Sequence, residues 1–281
     1  MNDRKAQLAA FERLLDVMDE LREKCPWDSK QTFQSIRPNT IEEAYELCDA
    51  LAKNDLHDIK KELGDVLFHI VFYSKIGSET NDFDIADVCN AVCDKMIFRH
   101  PHVFKQDGSL IPEGQAPSAK EIADTWELVK AKEKDGNKTV LSGVPNSLPS
   151  LIKAYRIQEK AQNVGFDWDS ADGAWDKLQE EFGELREALR EDAGLTSGKA
   201  DRPQMADGSQ AEAEFGDLLF SAVNVGRLCG MNPDTALEGT NQKFTRRFNY
   251  IEEKAIEQGR NLKEMTLAEM DALWNEAKSL E

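Results

Sequence analysis

The chain has 281 residues, of which 40% are hydrophobic and 31% charged, so it is long enough for two globular domains and too apolar to be disordered. A net charge of −18 argues against nucleic-acid binding, because an acidic surface repels a phosphate backbone. The sequence has no apolar run near the ~20 residues of a membrane span and no signal-peptide layout at its start, so we expect a cytoplasmic protein without a membrane partner.

Helical periodicity runs along the whole chain. Between residues 8 and 21 apolar side chains recur every three or four positions, which predicts an amphipathic helix. Capping-box sequences, in which a Ser or Thr precedes a Glu by three positions, predict helix starts at Thr40, Ser118 and Thr266. The apolar stretch 66–73 could be a buried strand, but its flanks keep a helical register, so we predict a core helix there. We therefore expect an all-α chain with four or five helices in each half.

The two halves of the sequence repeat each other. The matched segments, first half before second, are 41–47 with 179–185, 61–72 with 213–224, 94–100 with 242–248, and 125–134 with 273–281. A repeat of ~130 residues is too long for a solenoid and indicates two copies of one domain. The expected organisation is a first domain at 1–134, a linker at 135–149 and a second domain at 150–281.

Each copy carries two pairs of carboxylates, and the members of a pair are three residues apart on one face of a helix. Apolar residues flank every pair, so the carboxylates should lie at the edge of the core, where clustered like charges require protons or cations. Oxygen ligands favour Mg²⁺, with Mn²⁺ as the alternative. The candidate metal ligands are Glu43, Glu46, Glu62 and Asp65 in the first copy, and Glu181, Glu184, Glu214 and Asp217 in the second.

Basic and aromatic residues follow the carboxylates. Lys243 and Arg247 lie four apart on one helix face, and Trp274 precedes Lys278 by the same spacing. Cations that hold phosphates, with an aromatic ring beside the base, suit a nucleoside triphosphate. Lys177, one helical turn before the second copy's first carboxylate pair, is a further candidate. Plain structural roles compete with this interpretation, since tryptophans are often core residues and cations often surface charges. The matched residues of the first copy are Lys95, Arg99, Trp126 and Lys130.

The carboxylates form an ordered motif, EExxE followed by ExxD, which occurs at 42–65 and again at 180–217. EExxE alone is common in acidic helices, but the full ordered set, seen twice, is specific. The accompanying motifs are CPWD at 25–28, RHPHVF at 99–104, FDW at 166–168 and GDLLF at 216–220. With these motifs, nearly the whole chain resembles the MazG family of all-α nucleoside triphosphate pyrophosphatases.

The resemblance implies an enzyme built from two tandem MazG-like helical-bundle domains and assembled as a homodimer. Such an enzyme hydrolyses NTPs or dNTPs to a nucleoside monophosphate and pyrophosphate, by attack of a metal-activated water on the α-phosphorus. It further implies that the basic residues grip the phosphates, with Trp274 beside the nucleoside. Nothing in the sequence indicates which nucleotide is preferred. The catalytic residues that the resemblance implies are Glu181, Glu184, Glu214 and Asp217.

The two copies are not equivalent. Asn39 stands where the second copy has Lys177, and His69 stands where it has Ser221. We therefore expect the second copy to be the main catalytic domain and the first to serve structure or regulation, although its carboxylates do not exclude activity.

Two other functions stay open. An oxidative di-iron bundle would use Glu-x-x-His pairs, whereas these motifs contain Glu-x-x-Glu and Glu-x-x-Asp. A non-enzymatic scaffold for dimerisation or regulation would need no chemistry from the carboxylates.

Overall fold

The computed structural model describes residues 2–105, 107–112, 117–118, 121–122, 129, 139–193 and 208–281. Within these residues the chain forms nine α-helices and no β-strand, and a single isolated antiparallel bridge joins Phe104 to Leu110. The predicted all-α class is confirmed. None of the described helices is both long and apolar enough to cross a lipid bilayer.

The chain divides into two compact units, Met1–Ile122 and Ala123–Glu281. The helices of the first unit are α1 (Arg4–Lys24), α2 (Phe33–Lys53), α3 (Leu56–Glu79) and α4 (Ile85–Arg99). The helices of the second are α5 (Ser150–Gln162), α6 (Ala171–Ala193), α7 (Gln210–Leu228), α8 (Pro233–Glu257) and α9 (Leu267–Ser279). This tandem arrangement agrees with the duplication seen in the sequence. The boundaries at 134 and 149 stay a prediction, because residues 130–138 lie outside the described part.

Helix α2 begins earlier than the capping-box sequence predicts. Thr32 caps it: Thr32 Oγ1 accepts a hydrogen bond from the Ser35 backbone N–H at 3.2 Å, and Ser35 Oγ accepts one from the Thr32 N–H at 2.8 Å. The predicted start at Thr40 is wrong, because this residue lies inside α2, where its hydroxyl is 3.2 Å from the Ile36 carbonyl. Pro38 also stands inside the helix and does not end it.

The other two predicted helix starts are confirmed by reciprocal capping bonds. Ser118 exchanges them with Glu121, and Thr266 with Glu269 at the start of α9. The backbone N–H and then the hydroxyl of Thr266, followed by the Arg260 guanidinium, lower the pKa of Glu269 to about 2.

The core of the first unit is built by α1, α2 and α3. A two-residue connection, Asn54 and Asp55, reverses the chain between α2 and α3, and Asn54 takes the left-handed conformation at φ 53° that is common at helix ends. Helix α3 therefore packs along both α2 and α1. The buried core residues are Met18, Ile36, Val71, Phe72 and Ile76.

In the second unit, α7 packs against α6 and α5, and α8 packs against α9. The buried apolar side chains are mostly small, as at Ala174, Ala188 and Ala211, which lets the helix axes approach closely. Large apolar residues of the same helices lie on the surface of the unit: Phe182 on α6 is 60% exposed and Phe215 on α7 is 52% exposed. The second unit thus keeps an aromatic outer surface.

Met18→Ala should lower the free energy of unfolding by about 2–5 kcal/mol, because this 1% exposed side chain would leave a cavity between α1 and α3. Val17→Ala is the matched control at the next, exposed position and should cost less than about 1 kcal/mol. Urea denaturation followed by circular dichroism measures both. Equal losses for the two variants would show that α1 is not anchored through Met18.

Thr266→Ala should raise the pKa of Glu269 from about 2 towards its ordinary value of 4.5, without reaching it, because the Thr266 N–H and Arg260 still contact the carboxylate. A carboxyl whose pKa is depressed by folding stabilises the protein above its unfolded pKa, and this contribution disappears as the pH falls through the folded pKa. The variant should therefore lose less stability on acidification from about pH 5 to pH 2. An NMR titration of the Glu269 carboxyl measures the pKa, and a wild-type value near 4.5 would contradict this account.

Candidate metal centres and active site

The first candidate metal centre lies between α2 and α3. Glu43 comes from α2, and Glu62 and Asp65 come from α3; one carboxylate oxygen of each lies within 4.8 Å of the other two. Glu62 is only 6% exposed. One of its oxygens is 2.7 Å from Lys61 Nζ, and the other, Oε2, is buried without a hydrogen-bond partner. A bound cation would satisfy that oxygen, so this donor set fits a metal.

The electrostatics of this centre reflect crowding of like charges. Burial, and then the neighbouring charges of Asp65 and Glu46, raise the pKa of Glu43. The fourth predicted ligand, Glu46, is exposed and lies outside the close trio, although its charge reaches Glu43. The helix pair therefore brings three of the four predicted carboxylates together.

The second candidate metal centre lies between α6 and α7. Glu181 and Glu184 come from α6 and Glu214 from α7, and an oxygen from each again lies within 4.8 Å of the others. Glu181 is buried, and partial burial followed by the charge of Glu181 raises the pKa of Glu184. Asp217, the remaining predicted ligand, is exposed and outside the trio, one turn beyond Glu214 on α7.

Each centre has a lysine paired with its buried glutamate, Lys61 with Glu62 in the first and Lys177 with Glu181 in the second, but the two lysines come from different positions of the repeat. Lys177 Nζ lies 2.8 Å from Glu181 Oε1 and 2.9 Å from Glu180 Oε1, and these hydrogen bonds raise the pKa of the lysine. The ammonium is therefore fixed in the charged form beside the metal centre. Asn39, its counterpart in the first copy, cannot supply this charge.

The first centre opens onto a cavity of about 280 Å³. Its wall contains Glu43 and Asp65 together with Asn39 and His69. Aromatic residues complete the lining, namely Trp27, Phe68 and Phe72.

His69 belongs to a hydrogen-bonded group that sequence reasoning missed. His69 Nδ1 is 2.7 Å from Thr40 Oγ1, which is in turn 2.6 Å from the Tyr73 hydroxyl. Burial lowers the pKa of His69, which favours the neutral ring. The four-residue spacing of His69 and Tyr73 shows that they share a helix face, but their meeting with Thr40 depends on the pairing of α2 with α3. Among the described residues neither carboxylate trio includes a histidine, which disfavours a di-iron centre.

The structure brings two of the predicted substrate-binding residues together on α8 and α9. Arg247 pairs with Glu281 at 2.5 Å, and its guanidinium carbon lies 5.3 Å from the centre of the Trp274 ring. Lys243 and Lys278 are exposed. In the part of the chain that the structure describes, none of these cations forms an ion pair with the carboxylate trio.

The corresponding residues of the first copy are only partly described. Lys95 is exposed and Arg99 is half-buried, both near the end of α4. The predictions for Trp126 and Lys130 concern residues outside the described part of the chain.

Comparison with known proteins agrees with this architecture. Residues 31–104 match the sequence model of the MazG nucleotide pyrophosphohydrolase domain. Over 96% of its length the chain is 37% identical to the nucleoside triphosphate pyrophosphohydrolase of Escherichia coli K12, covering 98% of that protein. It is 40% identical to the nucleoside triphosphate pyrophosphohydrolase/pyrophosphatase MazG of Thermotoga maritima, with 95% of each chain covered. A 39% identical match to the uncharacterised protein YabN of Bacillus subtilis covers 52% of that longer protein.

The match to the MazG domain, together with two acidic clusters that could hold metal ions, places the chain among metal-dependent hydrolases. The chain belongs to the MazG family of nucleotide pyrophosphohydrolases, enzymes that hydrolyse phosphoric anhydrides.

Divalent metal at a concentration 100 times its Kd should stabilise each unit by about 2.7 kcal/mol, because one metal binds each folded carboxylate trio and none binds the unfolded chain. The double variant Glu43→Gln/Glu214→Gln should lose most of this gain and should melt at a higher temperature than wild type without metal, since like-charge repulsion is relieved. Thermal melts with and without Mg²⁺ or Mn²⁺ measure both effects.

The matched control for this experiment is Glu42→Gln/Glu187→Gln, which removes the same charge from exposed positions on α2 and α6 outside the trios. It should keep the wild-type response to metal. If the two double variants respond alike, the trios are not the metal sites.

Proposed function

We propose that the protein hydrolyses nucleoside triphosphates, NTPs or dNTPs, to a nucleoside monophosphate and pyrophosphate with a divalent metal. The observation that carries this proposal is the carboxylate trio, with one buried member, formed twice between paired helices in a chain of the MazG family. Oxygen-only donors fit a hard ion, so Mg²⁺ is proposed and Mn²⁺ is the alternative. When bound, the metal would polarise the phosphates and lower the pKa of the attacking water at the α-phosphorus.

We assign the main catalytic role to the second unit, where Glu181, Glu184 and Glu214 would hold the metal. Asp217 completes the set, since it follows Glu214 by one turn on the same face of α7. One of these carboxylates is also proposed to orient or deprotonate the attacking water.

The cations of the second unit are proposed to hold the substrate. Lys177 is closest to the carboxylates and keeps its charge through Glu181, so it can contact a phosphate at the edge of the metal centre. Lys243, Arg247 and Lys278 are proposed to bind phosphates from α8 and α9. Trp274 is the aromatic candidate beside the nucleoside.

The first unit is proposed to bind metal through Glu43, Glu62 and Asp65 and to act mainly in structure or regulation. This assignment is supported by Asn39, a neutral residue at the position where the second unit has the cation Lys177. Lys95, Arg99, Trp126 and Lys130 keep the sequence pattern of a substrate site in this copy.

We also propose that the protein is cytoplasmic and that it forms a homodimer. The homodimer is supported by the aromatic outer surface of α6 and α7, where Phe182 and Phe215 are more than half exposed. Apolar surface of this kind is usually covered by a second chain or a ligand.

Glu214→Ala should reduce pyrophosphate release from a panel of NTPs and dNTPs by about 100-fold or more with Mg²⁺ present, because it removes one of three clustered ligands. Glu62→Ala, the same change at the matched position of the first unit, should leave release within a few-fold of wild type. Coupled detection of pyrophosphate measures both variants. Unchanged release in Glu214→Ala would refute the assignment of the second unit, and equal losses in both would refute the division of roles.

A further inference from the structure

A buried arginine anchors the loop that leads into the second metal centre. Arg227 stands next to the C-terminal residue of α7, and its side chain is only 5% exposed. Both terminal nitrogens contact the Asp167 carboxylate, Nη1 to Oδ2 at 3.1 Å and Nη2 to Oδ1. Such a two-point contact matches the planar fork of a guanidinium, and a lysine cannot reproduce it. Asp167 belongs to residues 163–170 between α5 and α6, which we call the Trp168 loop.

The other hydrogen bonds of Arg227 connect this loop to two helices. Nη1 also donates to Gln162 Oε1 at 2.7 Å, at the end of α5. Nε and Nη2 donate to Asn224 Oδ1 on α7, at 3.2 Å and 2.8 Å. Every N–H of the side chain therefore has an acceptor. A buried guanidinium with all of its donors paired is held in one position, so it can fix the loop against α7.

The Trp168 loop in turn contacts the beginning of α6. A Cβ atom at Gly173 would lie 2.6 Å from Trp168 Cε3 and 3.1 Å from Cζ3. Non-bonded carbon atoms pack at about 3.5–4.0 Å, so a side chain at this position would displace the ring. The indole therefore lies directly against the backbone of the first turn of α6, an approach for which glycine leaves room.

The same helix carries two residues of the second metal centre. Lys177 and Glu181 follow Gly173 by four and eight residues, which is about 6 and 12 Å along the helix axis. Glu214, the third element of this arrangement, lies on α7, the helix that carries Arg227. The Trp168 loop thus joins the two helices that supply the carboxylates.

We propose that Arg227 is a positioning residue for the second metal centre. Through Asp167 and Trp168 it holds the start of α6 against the end of α7, and this fixes Lys177 and Glu181 relative to the carboxylates of α7. The inference rests on the proposed function and adds a residue outside the carboxylate trio.

The first unit contains a similar link, built from a different helix. Arg22 on α1 has a side chain that is 8% exposed, and it donates to the backbone carbonyl of Asp28, the residue after Trp27. Its guanidinium also pairs with Glu79 of α3 at 2.6 Å. In both units a buried guanidinium ties a tryptophan segment to the helix that carries the ExxD pair. The same link made from α1 in one unit and from α7 in the other favours a shared role over an accident of packing.

The test begins with Arg227→Lys, which keeps the positive charge and removes the fork. It should weaken Mn²⁺ binding at the second centre by about 10-fold or more, because groups that orient metal ligands contribute a factor of about 10–100. Mn²⁺ is titrated into the full-length protein carrying Glu62→Gln, which removes a ligand of the first centre, and electron paramagnetic resonance measures the free ion. The Mg²⁺ concentration for half-maximal pyrophosphate release should rise by a similar factor. Partial unfolding would instead lower the number of sites and leave the affinity of the remaining sites unchanged, and that result would overturn the proposal.

Gly173→Ala tests the same link from its other end. Its methyl group displaces Trp168 while Arg227 and Asp167 stay intact, so Mn²⁺ binding should weaken by a similar factor. The double variant Arg227→Lys/Gly173→Ala should be within about twofold of the weaker single variant, because both changes break one link. Fully additive losses would show two independent contacts and would contradict the proposal.

Arg22→Lys is the matched control, since it makes the same change at the buried arginine of the first unit. Mn²⁺ affinity at the second centre should stay within about twofold, because the change lies in the other unit. An equal loss in Arg22→Lys, or an unchanged affinity in Arg227→Lys, would overturn the positioning role. Asp167→Asn replaces Arg227→Lys if circular dichroism shows that the lysine variant does not fold.

The Mn²⁺ titration needs no substrate, so the two proposals can fail separately. Absence of pyrophosphate release together with the expected loss of Mn²⁺ affinity would refute the proposed function and support the positioning role. Metal-dependent release together with an unchanged affinity in Arg227→Lys would refute the positioning role and leave the proposed function in place.

Discussion

The structure depends on holding several carboxylates within a few ångströms of one another at the edge of a helical core. Such a group is unfavourable by itself, because burial and mutual repulsion both oppose ionisation. Burial of Glu62 and Glu181 and the raised pKa values of Glu43 and Glu184 express this cost. The helix pairs α2–α3 and α6–α7 oppose the repulsion through apolar packing. The core therefore stabilises the acidic trios on one side, and the opposite side is accessible to a cation.

Much of this could be predicted from the sequence because it follows from helical spacing. Carboxylates three residues apart share a helix face in any α-helix, and the internal repeat shows that two successive helices carry such pairs in each half. The spacing does not distinguish the four carboxylates of a copy, and their use as metal ligands stays a prediction. Glu46 and Asp217 each lie on the correct face but outside the trio, because membership depends on the rotation and separation of the helix pair.

Other features depended on contacts that no local pattern encodes. Thr40 has the spacing of a helix cap, yet α2 starts at Thr32–Phe33 and continues past it, since the real cap is a Thr–Ser pair. The meeting of Thr40 with His69, and that of Arg227 with Asp167, arise from residues tens of positions apart. Only the packed structure shows them.

The ion pair between Lys177 and Glu181 has a consequence for the order of events. An ammonium already bound to the carboxylate acts as an internal counter-ion, so the second centre exists before any external cation arrives. A metal held by Glu181 would compete with this lysine and release it. The released charge would then be beside the proposed substrate site, so metal binding and attraction of the triphosphate would be linked through one side chain acting as an exchangeable ion.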